Sequence, residues 1–301
     1  MRSLTYYFRR GRNQSLIIHP FGDVHKGSIG CNDKLVHEFV SLIKHDKNRY
    51  FVLMGDIIEA INISDKRFDE RQVAPQYHHV YSNLAGEQAD DMIKILKPIQ
   101  DKCLGAIWGN HEETIRLRYH NDIHGYICNQ LRIPNLTADC FLNLHFQRNT
   151  AGCHRVVTIF LAHKVNSGTT IGAAANATER MARGFQADIY LSGHHHKQFA
   201  IADNMCLVRK NNTTPKILKD KGGKLLMSTG DITYRKRLYA GTGSFFGTYP
   251  CTYNDNEIKT TYGERSLFSP NSLGTIEIQI IPFHSRGNGN KDTEAIYTIT
   301  V

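Results

Sequence analysis

The sequence of 301 residues contains no long hydrophobic run. Its longest strongly apolar stretch, VVTIFLA at Val156 to Ala162, is far shorter than the roughly 20 apolar residues of a membrane-spanning helix. The basic amino-terminal stretch MRSLTYYFRRGRNQS is not followed by the apolar segment that a secretory signal requires. We therefore expect a protein that neither crosses a membrane nor is secreted.

The cysteines offer no disulfide framework. The 7 cysteines are odd in number and scattered, and no two form a C-x-x-C pair. This distribution is typical of reduced thiols, so we predict a cytoplasmic protein. Internal repeats and low-complexity tracts are absent as well. A content of 41% hydrophobic and 22% charged residues is typical of a globular protein. We predict a single domain over residues 1–301, with its core at about 15–200.

Five short apolar runs end in the same way. Each is rich in β-branched and aromatic residues, which indicates a buried strand. Each stops at a small or polar residue followed by Asp, Asn or His. The runs and their continuations are SLIIHPF before GDVH, YFVLM before GD, LGAIW before GNHE, RVVTIFLA before HK, and ADIYL before SGHHH. One such strand end would be an ordinary polar residue, but five in one chain are hard to attribute to chance.

Helical patterns separate some of these strands. CNDKLVHEFVSLIKHDK predicts a helix capped by Asn32 or Asp33. A second helix is predicted from Leu84 to about Cys103, where Pro98 ends or kinks it. Alternating strands and helices place the carboxyl ends of the strands along one edge, where ligands bind. We therefore expect eight side chains to converge there: Asp23, His25, Asp56, Asn110, His111, His163, His194 and His196.

The order of these motifs resembles that of the calcineurin-like metallophosphoesterase superfamily. The matching motifs are D-x-H (Asp23 and His25), G-D (Gly55 and Asp56), G-N-H-E (Gly109 to Glu112), a lone His, and G-H-x-H (Gly193 to His196). The resemblance implies an α/β fold, namely a four-layer α/β/β/α sandwich with two mixed β-sheets and a metal site at the strand carboxyl ends. It also implies that residues 273–301 add C-terminal strands to the second sheet.

The resemblance further implies two divalent metal ions, with Mn²⁺ as the first choice and Fe, Zn, Ni or Mg as alternatives. One ion would take Asp23, His25, Asp56 and His196, and the other would take Asp56, Asn110, His163 and His194. The shared Asp56 suits this role, because one carboxylate can bridge two cations about 3.5–4 Å apart. His111, beside a ligand, would act as general acid or charge stabiliser at the leaving oxygen. The implied activity is hydrolysis of phosphate esters by a metal-activated water.

Three details of these motifs carry expectations of their own. The second motif, GDIIEA, lacks the Arg that follows in the G-D-x-x-D-R-G of phosphoprotein phosphatases. Its Glu59 either supports a metal ligand or is an ordinary helix-start carboxylate. His195, between two predicted ligands, is expected to point away from both metals. His163 is preferred to His145 and His154 as the lone His, because it directly ends the most apolar run.

The substrate class depends on where the net charge of +9 lies. Between Asn204 and Ala240, nine Lys and Arg accompany two Asp, which indicates either a solvated face or a surface for a polyanion. We predict cleavage of phosphodiester bonds in nucleic acid or nucleotides. A small phosphomonoester is the alternative, and a non-catalytic scaffold is disfavoured because every ligand position is filled. The predicted substrate contacts are Arg116, His120, Arg235 and Arg237.

Two further segments leave alternatives open. The glycine-rich AGTGSFF, Ala240 to Phe246, is either a structural turn or a phosphate cradle, and the turn is favoured because the Lys and the spacing of a P-loop are missing. The polar connection from Ile61 to Gly86 is long. It forms either a lid over the site or a surface excursion.

Overall fold

The computed structural model of the chain describes residues 1–148, 154–165, 168–208, 232–249, 261–284 and 295–301. The central part of the predicted basic segment, residues 209–231, lies outside these ranges. Within them, no helix is both long and apolar enough to cross a membrane.

The described strands form two mixed sheets. The first has the spatial order β1 (Arg2–Arg9), β6 (Asp139–Gln147), β7 (His154–Ala162), β8 (Ile189–Ser192), β10 (Ile232–Ser244) and β11 (Gly274–Thr275), and β9 (Gln198–Val208) pairs with β10. The second has the order β13 (Ile296–Thr300), β12 (Glu277–Ile281), β2 (Leu16–Phe21), β3 (Arg49–Leu53), β4 (Cys103–Ile107) and β5 (Asn135–Thr137). The five strands predicted before the polar motifs are thus divided between the sheets, since β2, β3 and β4 lie in one and β7 and β8 in the other.

The described ranges contain six α-helices, of which the first five pack on the sheets or on one another and the sixth lines the cavity described below. They are α1 (Asp33–His45), α2 (Leu84–Leu96), α3 (Asn110–Tyr119), α4 (Ile123–Leu131), α5 (Ile171–Arg180) and α6 (Tyr262–Arg265). Asn32 caps α1, because its side chain accepts a hydrogen bond from the N–H of Leu35. The second helix ends at Leu96, earlier than predicted, and a 3-10 turn over Lys97–Lys102 contains Pro98.

Alternation along β3 shows how the layers form. Val52 and Met54 belong to the core between the two sheets, whereas Phe51 and Leu53 pack with the helices on the opposite face. Successive strand residues point to opposite faces, so a strand buried on both sides has a continuous apolar run. On the far side of the other sheet, Phe160, Tyr190, Tyr239 and Met181 form a separate cluster. The predicted α/β/β/α sandwich is confirmed.

The C-terminal strands extend the second sheet. β12 pairs antiparallel with β2, and β13 pairs antiparallel with β12. In the first sheet, β9 and β10 form a long antiparallel ladder that begins at the pair Gln198 and Thr242 and continues to Val208 and Ile232. The carboxyl-terminal half of β10 pairs in parallel with β8. The amino-terminal half of β10 therefore extends beyond the amino end of β8, away from the edge where the strand carboxyl ends lie.

Candidate metal centre

The carboxyl ends of the five strands meet at one place. Asp23 and His25 follow β2, Asp56 follows β3, and Asn110 and His111 open α3 after β4; His163 follows β7, and His194 and His196 follow β8. The two sheets are joined here directly, since the N–H of His194 donates to both carboxylate oxygens of Asp23 at 3.1 Å. All eight residues predicted to converge are therefore brought together.

Their ligand atoms form overlapping triads whose members lie within 4.8 Å of one another. The triads are Asp23, His25 and His196; His25, Asp56 and His111; and Asp56, His163 and His194. Asp56 lies between the first and the last, because its Oδ2 is 3.9 Å from Nε2 of His25 and 3.1 Å from Nε2 of His163. Oδ1 of Asn110 lies 3.3 Å from the same nitrogen of His163. Asp56 therefore lies between the two groups of side chains that the resemblance assigns to the two ions.

Contacts to Nδ1 fix the ring orientation of His163 and His25. Nδ1 of His163 lies 2.7 Å from the backbone oxygen of Met54, and Nδ1 of His25 lies 2.8 Å from Oε2 of Glu59. In both rings Nε2 is then the nitrogen that faces Asp56. Metal-binding histidines have the same pattern, with one nitrogen held by an oxygen and the other free to ligate. Glu59 is thus a supporting partner of His25.

The electrostatics of the cluster suit cations. Burial alone would raise the pKa of Asp56, but the neighbouring His163 and His111 hold it well below its usual range. Burial alone would lower the pKa of His163, yet the Asp56 carboxylate raises it to about 10. The buried carboxylates therefore stabilise positive charge at this point. A divalent ion would take the place of that charge and displace ring protons, as metal binding to imidazole generally does.

Most of the predicted ligands lie in a backbone conformation that L-residues rarely adopt. Five of them have φ in the left-handed region: Asp23 at 48°, His25 at 51°, Asp56 at 49°, His194 at 71° and His196 at 53°. Such residues cost on the order of 1–3 kcal/mol each and persist where the surrounding structure holds them, often at functional sites. The shared strain indicates that these turns are shaped by the site rather than by local preference.

Glycines before the ligands allow the turns to approach one another. A Cβ added at Gly109 would lie 2.0 Å from Oδ1 of Asp56, and one added at Gly55 would lie 2.5 Å from the backbone nitrogen of Gly109. Gly55 also has a φ of +88°. The G-D and G-N-H-E motifs therefore need glycine because the turn after β3 packs directly on the turn after β4.

Glu112 braces the same two turns. Its buried carboxylate accepts hydrogen bonds from the backbone N–H groups of Asp56 at 3.0 Å, Ile57 at 2.7 Å and Gly109 at 2.9 Å. The sequence showed Glu112 as the last letter of G-N-H-E but gave no role for it. The structure assigns it to holding the bridging residue in position.

His111, a member of the second triad, is held in place by its own backbone and ring. Its N–H donates to Oδ1 of Asp56 at 2.9 Å, and its Nδ1 donates to the backbone oxygen of Glu59. The ring centroid lies 4.7 Å from that of His25. Nε2 is therefore the nitrogen of His111 that is left for a substrate.

The predicted substrate contacts do not join this cluster. The guanidinium of Arg116 lies over the ring of Trp108 at 5.2 Å, and His120 ends α3; neither lines the cavity beside the triads. Arg235 and Arg237 lie in the amino-terminal half of β10, before the residues that pair with β8. Arg235 pairs with Asp188 at 2.6 Å and Arg237 with Asp203. Arg235 lies nine positions before Ser244 in β10, at about 3.3 Å per position, and the hydroxyl of Ser244 donates to the backbone oxygen of Asp23.

A cavity of about 540 Å³ opens beside the triads. One wall comes from the connection Ile61 to Gly86, which contains short 3-10 turns and buries Val73, Ala74 and Tyr77. The other wall includes Phe246, which follows β10, and residues 263–271. The run AGTGSFF is therefore the end of β10 and the turn that follows it. Of the two alternatives predicted for this run, the structural turn was the favoured one. His195 also lines the cavity, and its Nε2 lies 3.0 Å from the hydroxyl oxygen of Ser192.

The donor set fits divalent metals. Imidazole nitrogen, amide oxygen and carboxylate oxygen suit Mn, Fe, Zn and Ni, and the ring nitrogens that would ligate are turned inward by Met54 and Glu59. Asp23, His25, Asp56 and His196 would hold one ion; Asp56, Asn110, His163 and His194 would hold the other. The same residues were named from the sequence.

Comparisons with known proteins identify the family of this chain. The chain is similar in structure to the calcineurin-like phosphoesterase YfkN from Bacillus subtilis, with 11% identity, coverage of 95% of this chain and 90% of that chain, and a TM-score of 0.36. Comparison with curated protein sequences gives no match. The model of the calcineurin-like phosphoesterase family matches residues 18–198, a stretch that contains every residue of the triads. The chain belongs to the calcineurin-like phosphoesterase family.

Proposed function

We propose that the protein hydrolyses phosphodiester bonds of nucleotides or nucleic acid, with two divalent ions, Mn²⁺ as the first choice, and with His111 as the proton donor. Metal-dependent hydrolysis of a phosphoester is the activity of the family. When bound, the two ions supply Lewis acidity, lowering the pKa of water and neutralising charge on the phosphoryl group. The triads around Asp56 support their placement.

The position of His111 carries the proposal. Hydrolysis forms a P–O bond to the water oxygen and breaks the P–O bond to the leaving alcohol, whose oxygen must gain a proton. Because Nδ1 of His111 is engaged by the backbone oxygen of Glu59, that proton is delivered from Nε2. The attacking water loses one proton to solvent and carries the other into the product phosphate, and His111 regains its proton from solvent. A poor leaving group, such as the sugar oxygen of a nucleotide, gains most from this donor.

The nature of the second motif supports a diester rather than a phosphoprotein. GDIIEA has Ala60 where phosphoprotein phosphatases place an Arg that grips the phosphate. A phosphomonoester of a small alcohol is the second candidate. It is supported by the cavity of about 540 Å³, which has room for a small molecule as well as for a terminal nucleotide.

Turnover by the purified chain, stripped of metal and reloaded with Mn²⁺, tests the proposal. We expect bis(4-nitrophenyl) phosphate to be cleaved faster than 4-nitrophenyl phosphate, and dithymidylate to be cleaved as well. His111→Asn should keep the metal content but lower turnover of dithymidylate by about 10²–10⁴-fold, with a smaller loss on the nitrophenyl diester because its leaving group needs no proton. Faster cleavage of the monoester would favour the second candidate. No cleavage of either ester by fully loaded protein would contradict both.

A further inference from the structure

The cavity beside the triads combines aromatic rings with cationic groups. Phe68 and Arg67 contribute from one wall, and Phe246, Phe268 and Arg265 contribute from the other. Phe246 ends the run AGTGSFF, and Arg67 and Phe68 lie in the connection Ile61 to Gly86, but no role was predicted for their side chains because they lie outside the metal motifs. A substrate phosphate at the triads would have its organic part in this cavity, so these side chains determine what that part can be.

Phe246 is the ring nearest to the triads and is held firmly. Its centroid lies 5.1 Å from that of His25 and 5.6 Å from that of His196. The hydroxyl oxygen of Ser244 accepts from the N–H of Phe246 at 2.9 Å, and the same hydroxyl donates to the backbone of Asp23 at 2.8 Å. A Cβ at Gly30 would lie 2.4 Å from the Phe246 ring, so the ring packs closely against that glycine. It remains partly exposed to the cavity, where a flat ring can stack on it.

Two carboxylates beside the cavity are each shared by two guanidinium groups. Asp65 pairs with Arg67 and also lies 3.7 Å from Arg118. Asp69 pairs in the same way with Arg71 and Arg265, each at 3.0 Å. Four guanidinium groups thus share two carboxylates: Arg67, Arg71, Arg118 and Arg265.

Arg67 and Arg265 are the members of this group that line the cavity. The bonds of Arg67 to the Asp65 side chain use Nε and Nη2, so Nη1 takes no part in that pair. The hydrogen bond to Asp65 raises the pKa of Arg67, and the charges of Glu59 and Asp56 add to the effect. The guanidinium therefore lies within electrostatic reach of the metal ligands and can hold a second anion while a phosphate occupies the triads.

We infer that the cavity recognises a nucleotide unit that carries a second phosphate, with its base stacked on Phe246 and the second phosphate held by Arg67 and Arg265. This inference rests on the proposed function and names its substrate class. Arg67 and Arg265 each share their carboxylate with a second guanidinium group, and guanidinium groups bind phosphate by paired, charge-assisted hydrogen bonds. A free nucleotide and the phosphorylated end of a nucleic acid strand share this chemistry.

Dithymidylate with and without a 5′-phosphate isolates the second phosphate. We expect the wild type to show a kcat/KM about 10- to 100-fold higher for the 5′-phosphorylated form, the range of one or two charge-assisted hydrogen bonds. Arg265→Gln and Arg67→Gln should lose most of this preference. Arg71→Gln and Arg118→Gln are matched controls, since they share Asp69 and Asp65 but lie outside the cavity, and they should keep it.

The stacking contact has its own pair of variants. Phe246→Leu should raise KM for both dinucleotides several-fold, and Phe246→Tyr should restore it, because a base stacks on a ring and not on an aliphatic side chain. An oligonucleotide of 20 nucleotides with a 5′-phosphate distinguishes a strand end from a free nucleotide as the natural ligand. Cleavage as efficient as that of the dinucleotide identifies a strand end. Cleavage restricted to the dinucleotide identifies a free nucleotide.

Equal kcat/KM for the two dinucleotides in the wild type, or equal losses in the cavity variants and their controls, would overturn the inference. Its failure is distinguishable from that of the proposed function by direct binding of thymidine 3′,5′-bisphosphate in calorimetry. If the protein cleaves no ester but binds this compound, and binds it more weakly in Arg265→Gln than in Arg71→Gln, the inferred phosphate site stands and the proposed reaction is wrong. If the protein cleaves nitrophenyl diesters but does not bind this compound, the proposed reaction stands and the inferred phosphate site is wrong.

Discussion

The side chain of Glu59 contacts Nδ1 of His25 at 2.8 Å, and its backbone oxygen accepts a hydrogen bond from Nδ1 of His111. One residue thus orients a predicted metal ligand through its carboxylate and the predicted general acid through its carbonyl. The two roles are separable, because a substitution removes the carboxylate and leaves the carbonyl. Metal binding and proton donation can therefore be perturbed one at a time.

Glu59→Gln should weaken binding of the metal at His25 by about 10- to 100-fold, the usual effect of losing a partner behind a ligand histidine. At saturating metal, the ratio of rates on good and poor leaving groups should remain that of the wild type, because the contact to His111 is retained. Metal titration followed by kinetics measures both quantities. Glu113→Gln, on the exposed side of α3, is the control. Unchanged metal affinity would show that Glu59 does not support His25.

Glu112→Gln should destabilise the metal-free fold. An amide nitrogen in place of one carboxylate oxygen would face backbone N–H groups of Asp56 and Gly109 or of Ile57, so two donors would meet in a buried place. We expect a loss of about 2–4 kcal/mol in the free energy of unfolding, compared with less than about 0.5 kcal/mol for Glu113→Gln. Denaturant titration measures the difference. Equal stability of the two variants would mean that the turns do not depend on Glu112.

Gly109→Ala tests the close approach of the two turns. The added Cβ would lie 2.0 Å from Oδ1 of Asp56 and must displace it, so binding of both metals should weaken. Gly172→Ala in α5 is the matched control, because no atom lies within 4 Å of the added Cβ, and there the change should be neutral or stabilise by up to about 1 kcal/mol. Metal content after gel filtration compares the variants. Two tightly bound ions in Gly109→Ala would contradict the bridging position of Asp56.

His19 should make stability depend on pH. Burial, together with the Arg49 guanidinium at 2.7 Å from Nε2, lowers the pKa of His19 from 6.5 to about 4. The folded state then holds the neutral ring, and the unfolded state takes up a proton below its ordinary pKa. The free energy of unfolding is therefore unaffected by His19 above pH 6.5. It decreases as the pH falls from 6.5 toward 4, by about 3 kcal/mol in all. In unfolding experiments on metal-free protein, His19→Gln should reduce the slope of stability against pH over this interval. Parallel curves for wild type and variant would contradict it.

The ligand positions were predictable because they are local. A buried strand followed by glycine and a polar residue is visible in a few letters, and parallel strands bring their carboxyl ends to one edge by geometry alone. Asp23 and Asp56 are found in this way, and so are the histidines after β7 and β8. The fold class followed from the same alternation of elements together with the resemblance of the motifs.

The contacts around the cavity were not predictable because they depend on long-range packing. Arg235 follows the last metal motif in sequence, but β9 leads the chain away from the site for its whole length and β10 returns from the far end. Phe246 reaches the site only at the end of that return, and Arg265 meets Asp69 from a separate wall. The same holds for Glu112, whose partners Asp56 and Ile57 lie more than fifty positions earlier in the chain.

The division of the ligands between two sheets has a mechanical consequence. Asp23, His25, Asp56 and Asn110 follow strands of one sheet, while His163, His194 and His196 follow strands of the other. A metal bound in either position would therefore cross-link the sheets at one edge of the sandwich. Sliding or separation of the sheets would have to break that cross-link, so metal at about a thousand times its dissociation constant would add about 4 kcal/mol to the free energy of unfolding.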